Sequence, residues 1–480
     1  MNNILEIAKD YTNNCIVLYD YKNKEIILSH SDNKQKIVTK NKINTELKSI
    51  GALSKIDLTK ILRTIRSKLG CPDSGVALYP EKEFNSNMYI PKIQSSNFSF
   101  NHINSVSARN QPNIVVRIVA AGICQSDRRV MLGTKPSNFD SEQIVLGHEG
   151  GGYIVDPGLC DDIFHIGQKV VLLPHLTCWQ NSCEYCSTAR QNLCTNMQHM
   201  GFHIQGNMTK FMAYPEQCVI GVPDNLYDDF LPLVEPLACV SRGIFFLNSY
   251  LRKMNTIDIK GQDKVFTIYG GGPIGCLAAI CCRIFFKNIK IEIVEPVVRR
   301  IETLKQLGFA DSYVTSPSCQ HSVAFIANSF FNSIETAIDN CDQNGAILLF
   351  SGINTDYFSQ EDKSCASYVK FFEEIHRKEL NKEIIKDNNK INLVGSSGYN
   401  YHDIQRSIKL LLNHSKLFIN VQNTVIDGLD SCKIDYLFPT AHHMELKENA
   451  LLAFLSPHGV LDKKFGDIIA GSIKTLIKIK

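Results

Sequence analysis

The residues best suited to chemistry lie in two short stretches, A-G-I-C-Q-S-D at 121–127 and L-G-H-E-G-G-G at 146–152. Cys124, His148 and Glu149 offer a thiolate, an imidazole and a carboxylate. Such a mixed set suits a zinc ion that keeps one coordination position open for a reaction. Glycines on both sides of His148 let the backbone bend close to a metal. Taken singly, a buried cysteine and a satisfied core histidine are the blander reading; the motifs downstream favour the metal. Ser126 carries a hydroxyl that would relay a proton from a bound alcohol, or else close a turn on its own backbone. Asp127 would orient a neighbouring donor rather than react.

A second constellation follows, Cys178-x4-Cys183-x2-Cys186-x7-Cys194. Four thiolates at this density satisfy a closed tetrahedral zinc that stiffens a lobe and leaves no place for substrate. Cys178 is the least secure ligand, because the first gap is wide. Reduced thiols without metal are the alternative, and a nucleic-acid-binding ribbon is disfavoured by the lack of a basic patch. A third constellation, Gly270-Gly271-Gly272-Pro273-Ile274-Gly275, reads G-x-G-x-x-G after a buried-strand run at 265–269. Its glycines, with Pro273 and Ile274 at the helix start, would bring backbone amides to a pyrophosphate. Glu295, ending the next strand, would take the ribose hydroxyls and favour NAD over NADP. Arg300, beside Arg299, would either pair with a 2′-phosphate or stay a surface charge.

These groups need elements to hold them. A β-branched run at 114–119 delivers Cys124, and 170–173 reads as another strand of the same β-rich body. Strands are expected at 312–315, 333–338, 347–350 and 391–395, a helix at 400–413 and a last edge strand at 474–479. Residues 356–390 read as a charged, helix-prone insertion. Upstream, strands are expected at 15–19 and 25–28 and a helix at 56–69, with no catalytic constellation.

At 480 residues the chain is too long for one core. The net charge of +3 balances 51 bases against 48 acids, so no polyanionic partner is implied. Seventeen cysteines in tight clusters suit metal thiolates in a reducing cytosol better than a disulfide framework. No basic segment followed by an apolar run opens the chain. The greasy stretch 230–247 is broken by Glu235 and Arg242, so no membrane span is expected. A cytoplasmic protein is the expectation.

The order A-G-I-C-Q-S-D, G-H-E, C-E-Y-C with N-L-C, then L-V-E-P-L-A-C-V at 233–240, resembles the zinc-containing medium-chain alcohol dehydrogenase family. The likeness runs from about residue 88 to the end of the chain. The pair Glu235-Pro236 is similar to the branch of sorbitol, threonine and other polyol dehydrogenases. The resemblance implies an α/β fold: a GroES-like β-rich catalytic domain at 88–240, completed by 396–480, and a Rossmann doubly wound parallel sheet at 241–395. Residues 1–87 would form an extra small N-terminal α+β region. It further implies that Cys124, His148 and Glu149 hold a catalytic zinc, with Glu235 binding it directly or through its water. The expected activity is hydride transfer between a secondary alcohol and NAD, in a homo-oligomer without nucleic-acid or membrane partners. Arg129 stands where many relatives have histidine; it would face an anionic substrate group or solvent. A phosphorylated sugar alcohol or a hydroxy-amino acid is the alternative substrate, and a non-catalytic scaffold the alternative class.

Overall fold

The computed structural model describes residues 113–131, 145–254, 264–353, 366–427 and 473–479, apart from 159, 161 and 287. Four short strands upstream are also described: Cys15–Asp20 paired antiparallel with Glu25–His30, and Asn87–Tyr89 paired with Ser99–Asn101. The helix expected at 56–69 lies outside the described residues.

Two seven-stranded sheets organise the rest. The first runs Val219–Gly221, Lys169–Leu172, Glu149–Asp156, Asn113–Gly122, Thr475–Lys478, Thr424–Asp427, with Phe211–Pro215 also paired to Asn113–Gly122. Nearly every residue of Asn113–Gly122 and Glu149–Asp156 is buried or half-buried, which explains why these strands read as apolar and glycine-rich runs rather than strict alternations. The stretch 474–479 is not an edge: Thr475–Lys478 lies between Asn113–Gly122 and Thr424–Asp427, and the latter forms the margin. A terminal run of this kind reads as an edge only because its second neighbour lies far away in sequence.

The second sheet runs Ser312–Val314, Lys290–Val294, Val265–Tyr269, His321–Ile326, Cys341–Leu349, Asn389–Gly395, Asn381–Lys386. All its pairings are parallel except the last. Strand order therefore reverses beside Val265–Tyr269, the switch point at which doubly wound sheets open a crevice for ligands. The expected strand at 333–338 is instead the helix Phe331–Asp339, and the fourth strand is His321–Ile326. Phe331, Ile334, Ala337 and Ile338 are the buried residues of that helix, a helical spacing that S-I-E-T-A-I alone disguises as alternation. Residues 356–390 are also not simply helical. Helix Ala366–Lys378 is followed by the edge strand Asn381–Lys386, turned back through Asp387 and Asn388 at φ 49° and 63°. Two left-handed residues make the tight turn that suits a two-residue hairpin.

Helix Val234–Met254 joins the two bodies, packing on strands of both sheets. Glu235 in its first turn and Arg252 and Lys253 in its last complement the helix dipole. Its apolar run is long enough by composition to cross a membrane, but 78% of it is buried inside the protein.

Candidate metal and cofactor site

Register brings the first donor set together. Gly122 pairs with Glu149 across the antiparallel ladder, so Cys124, two residues past one strand, meets His148 at the mouth of the other. Gly147 turns the chain into that strand at φ +94°, in the left-handed region where a side chain would be strained. The ligand atoms of Cys124, His148 and Glu149 all lie within 4.8 Å of one another. Asp127, fully buried, ties the two loops: its Oδ2 accepts from Cys124 N at 2.8 Å and its Oδ1 from Gly147 N at 3.3 Å. Asp127 Oδ1 also lies 3.1 Å from His148 Nδ1. That contact places the Nδ1 proton on the aspartate side and leaves the Nε2 lone pair for a metal.

Ser126 Oγ donates to Cys124 Sγ at 3.2 Å and lies 3.2 Å from His148 Nε2. Its hydroxyl thus faces the donors and not its own backbone. Burial would lower the basicity of His148, but the charges of Asp127 and Cys124 lift it well above the usual imidazole range. Asp127 is pushed up by burial and pulled further down by His148, with a net lowering.

Glu149 has a partner that the local motifs do not reveal. Lys474, 3% exposed, pairs with Glu149 Oε2 and donates to Ile123 O at 3.0 Å. One carboxylate oxygen is therefore taken before any metal arrives. Glu235 does not join the group of donors that are all within 4.8 Å. Its Oε1 accepts from Cys239 Sγ at 3.6 Å, and burial pushes its carboxyl up to about 7 against the pull of His148. His148 also packs edge-on to His199, at 5.3 Å between ring centres, and against Phe202 at 5.1 Å.

The ligand atoms of Cys178, Cys183, Cys186 and Cys194 likewise lie within 4.8 Å of one another, and all four are free thiols. Cys178 Sγ is 3.6 Å from the sulfurs of both Cys186 and Cys194, so the widened first gap does not carry it out of the cluster. The pairing of His175–Leu176 with Gln198–His199 closes the base of this lobe. Four thiols around one centre fit a tetrahedral zinc.

At the second sheet, helix Pro273–Phe285 starts directly after the glycine turn with Gly272 as its N-cap and no side-chain cap. The first-turn amides of Ile274 and Gly275 are thus left for an incoming anion. A side chain at Gly275 would meet Gly270 O at 1.9 Å, so only glycine lets helix and turn pack this closely. Nothing lies within 4 Å of a side chain built at Gly272, which faces open space. Glu295 sits beside the turn: Oε2 accepts from Gly271 N at 2.9 Å and pairs with Arg300 Nη1 at 3.1 Å.

Lys474 and Arg242 are two buried charges whose pairing motif reading missed. Their signal was faint but present, since each interrupts an apolar run.

Residues 110–224 match the family model described as the alcohol dehydrogenase GroES-like domain. The chain is 30% identical over 201 residues to a zinc-type alcohol dehydrogenase-like protein of Haemophilus influenzae, covering 42% of this chain and 54% of that one. It is 29% identical over 203 residues to a sorbitol dehydrogenase of Bacillus subtilis, covering 42% and 53%. The chain thus spans about half the length of the curated relatives it matches. In fold it is similar to galactitol-1-phosphate dehydrogenase from Escherichia coli, with a TM-score of 0.58 at 15% identity over 82% of this chain and 99% of that one. A 2R,3R-butanediol dehydrogenase from Bacillus subtilis gives 0.55 at 17% identity, over 82% and 99%. Residues 110–224 thus carry the alcohol dehydrogenase GroES-like domain, and the chain is similar to zinc-type alcohol and polyol dehydrogenases in sequence over about half their length and in fold over nearly all of it.

Proposed function

We propose that the chain is a zinc-dependent dehydrogenase transferring hydride between a secondary alcohol, a polyol or sugar alcohol, and NAD. The observation that carries this reading is the set of Cys124, His148 and Glu149 within 4.8 Å, with the Ser126 hydroxyl bonded to the first and adjoining the second. Zinc held there supplies Lewis acidity toward an alcohol oxygen, and the nicotinamide of a bound dinucleotide supplies the hydride acceptor. Asp127 fixes the His148 ring, and Lys474 takes one oxygen of Glu149 and leaves the other for the ion. Ser126 stands where it would receive the substrate proton. Glu235, held near 7 by burial, would accept a proton near neutral pH or turn toward the ion.

On the cofactor side, the uncapped helix start would bind pyrophosphate and Glu295 the ribose hydroxyls. Arg300 is already paired with Glu295, which supports NAD over NADP. In this reading residues 88–240, completed by 396–480, form the catalytic body and 241–395 the dinucleotide body. Residues 1–87 are an accessory region. A second reading, the same chemistry on a phosphorylated polyol, draws on Arg129, half-buried on the helix that follows Cys124.

Metal content per chain, measured with NAD(H)-coupled activity on free polyols, polyol phosphates and hydroxy-amino acids, tests both. One zinc at each cluster and reduction of NAD with a free polyol are expected. No nicotinamide reduction across the panel would overturn the reading. A preference for the phosphate ester that disappears in Arg129→Ala would favour the second.

A further inference from the structure

The segment that carries the four thiols also grips the turn that leaves the second sheet after strand Asn389–Gly395. Arg242 lies about two turns beyond Glu235 on the joining helix and is 4% exposed. Its guanidinium takes Glu379 through Nε at 2.8 Å and Nη2 at 2.9 Å, and Asp403 through Nη1 at 2.9 Å. Nη2 also donates to Asn192 Oδ1 at 3.4 Å, and the group sits 4.4 Å from the centre of the Phe246 ring. A forked cation so enclosed is fixed in place, because moving it would strip buried carboxylates of their counter-charge.

Its partners come from separate pieces of chain. Glu379 lies between helix Ala366–Lys378 and the edge strand, and Asp403 completes the capping box that starts helix Tyr401–Asn413. Asn192 sits in the short turn Gln191–Leu193, directly before Cys194. From there its Nδ2 donates to Ser397 O at 2.8 Å, while Ser397 N donates to Glu379 Oε1 at 3.3 Å. Ser397 is thus held on both sides. Gly398 follows at φ +59°, where an added side chain would lie 3.1 Å from His175 Cε1 and 3.3 Å from Asn192 Cβ. Then comes Tyr399, 3% exposed, its ring stacked on His175 at 4.5 Å and 7°. The Tyr399 hydroxyl has no hydrogen-bond partner among the described residues. His175 in turn meets the His199 ring edge-on at 5.0 Å, and His199 meets His148 of the donor set at 5.3 Å.

Both flanks of the thiol cluster therefore touch one turn, His175 from before Cys178 and Asn192 from before Cys194. We propose that the cysteine lobe, through Asn192 and with Arg242 as the fixed point of the linkage, positions Tyr399 and the His175 and His199 rings that lead from it to His148, so that the state of the four thiols is felt at the reaction cleft. Asn192 and Arg242 are positioning residues, and Tyr399 is the ring through which the turn meets the histidine row. The cleft's being a reaction site rests on the function proposed above; the linkage itself does not.

Asn192→Ala deletes both links and leaves all four thiols. In the full chain, hydrogen exchange at residues 397–400 should accelerate about tenfold, the loss expected for one hydrogen bond. The KM for the alcohol should rise about tenfold with kcat within about threefold, since substrate placement and not the donor set is disturbed. Zinc content and the emission of Trp179, the chain's only tryptophan and the neighbour of Cys178, should stay unchanged. Asn192→Asp keeps the acceptor for Arg242 and should fall between. Thr195→Ala, exposed in the same lobe, should exchange as wild type. Blocking the lobe thiols of the wild type with a mercurial should accelerate the same amides. Wild-type exchange in Asn192→Ala overturns the proposal, and so does zinc loss or shifted Trp179 emission in that variant, which would assign Asn192 to folding of the lobe. Exchange needs no turnover, so an inactive wild type would count against the proposed function alone.

Discussion

Replacing Lys474 with methionine isolates the buried lysine–glutamate pair at the donor set. The two side chains are 3% and 2% exposed, so neither charge can relax into water. Breaking such a pair by removing one member costs about 3–5 kcal/mol, because the other charge stays buried and unpaired. The bond from Lys474 Nζ to Ile123 O at 3.0 Å is lost as well, adding about 1 kcal/mol. The metal-free Lys474→Met chain should therefore lose about 4–6 kcal/mol of stability. A divalent cation beside Glu149 restores the missing positive charge, so the zinc-loaded variant should lose about half of that or less. Adding Glu149→Gln removes the stranded charge, and the double variant should return to within about 2 kcal/mol of wild type. Urea unfolding followed at Trp179, with and without zinc, reads all four species. The reasoning fails if the single variant loses less than about 1 kcal/mol, or if the double variant is no more stable than Lys474→Met.

Three further outcomes follow from the same geometry. His321, fully buried, is held down to about 4 by desolvation, whereas the free side chain titrates at 6.5. The folded chain keeps it neutral while the unfolded chain takes up a proton below 6.5, so its contribution is full above that pH. Stability should fall by about 3 kcal/mol as pH drops from 6.5 to 4, and His321→Gln should flatten that slope in urea titrations; an unchanged slope refutes the assignment. Ser126→Ala should lower kcat about 100-fold with zinc content intact, whereas wild-type turnover would show that the hydroxyl carries no proton. Asp127→Asn, which weakens the hold on His148 Nδ1, should loosen zinc at the Cys124 cluster about 10–100-fold in a chelator competition; undiminished affinity would release Asp127 from that role.

The difference between what was legible in the amino-acid order and what was not follows sequence distance. Cys124 and His148 were legible because their ligand chemistry sits in short motifs at the ends of adjacent strands, and the run Val265–Tyr269 with its glycine turn was read to the residue. The strand at 321–326 and the helix at 331–339 were confused because S-I-E-T-A-I satisfies both periods, and only the burial of Phe331 and Ile334 against the second sheet decides between them. Lys474 stands 325 positions from Glu149, and Arg242 stands 137 and 161 positions from Glu379 and Asp403. No local pattern names such partners. Each of these cations, however, interrupts a run otherwise rich in apolar residues, where an unpaired charge would cost several kcal/mol. A charge in that position requires a buried opposite charge somewhere, so its sign and burial are inferable even when its identity waits on the fold. The reactive groups of this chain are therefore local and readable, whereas the groups that set their charge and position arrive from distant segments once the sheets close.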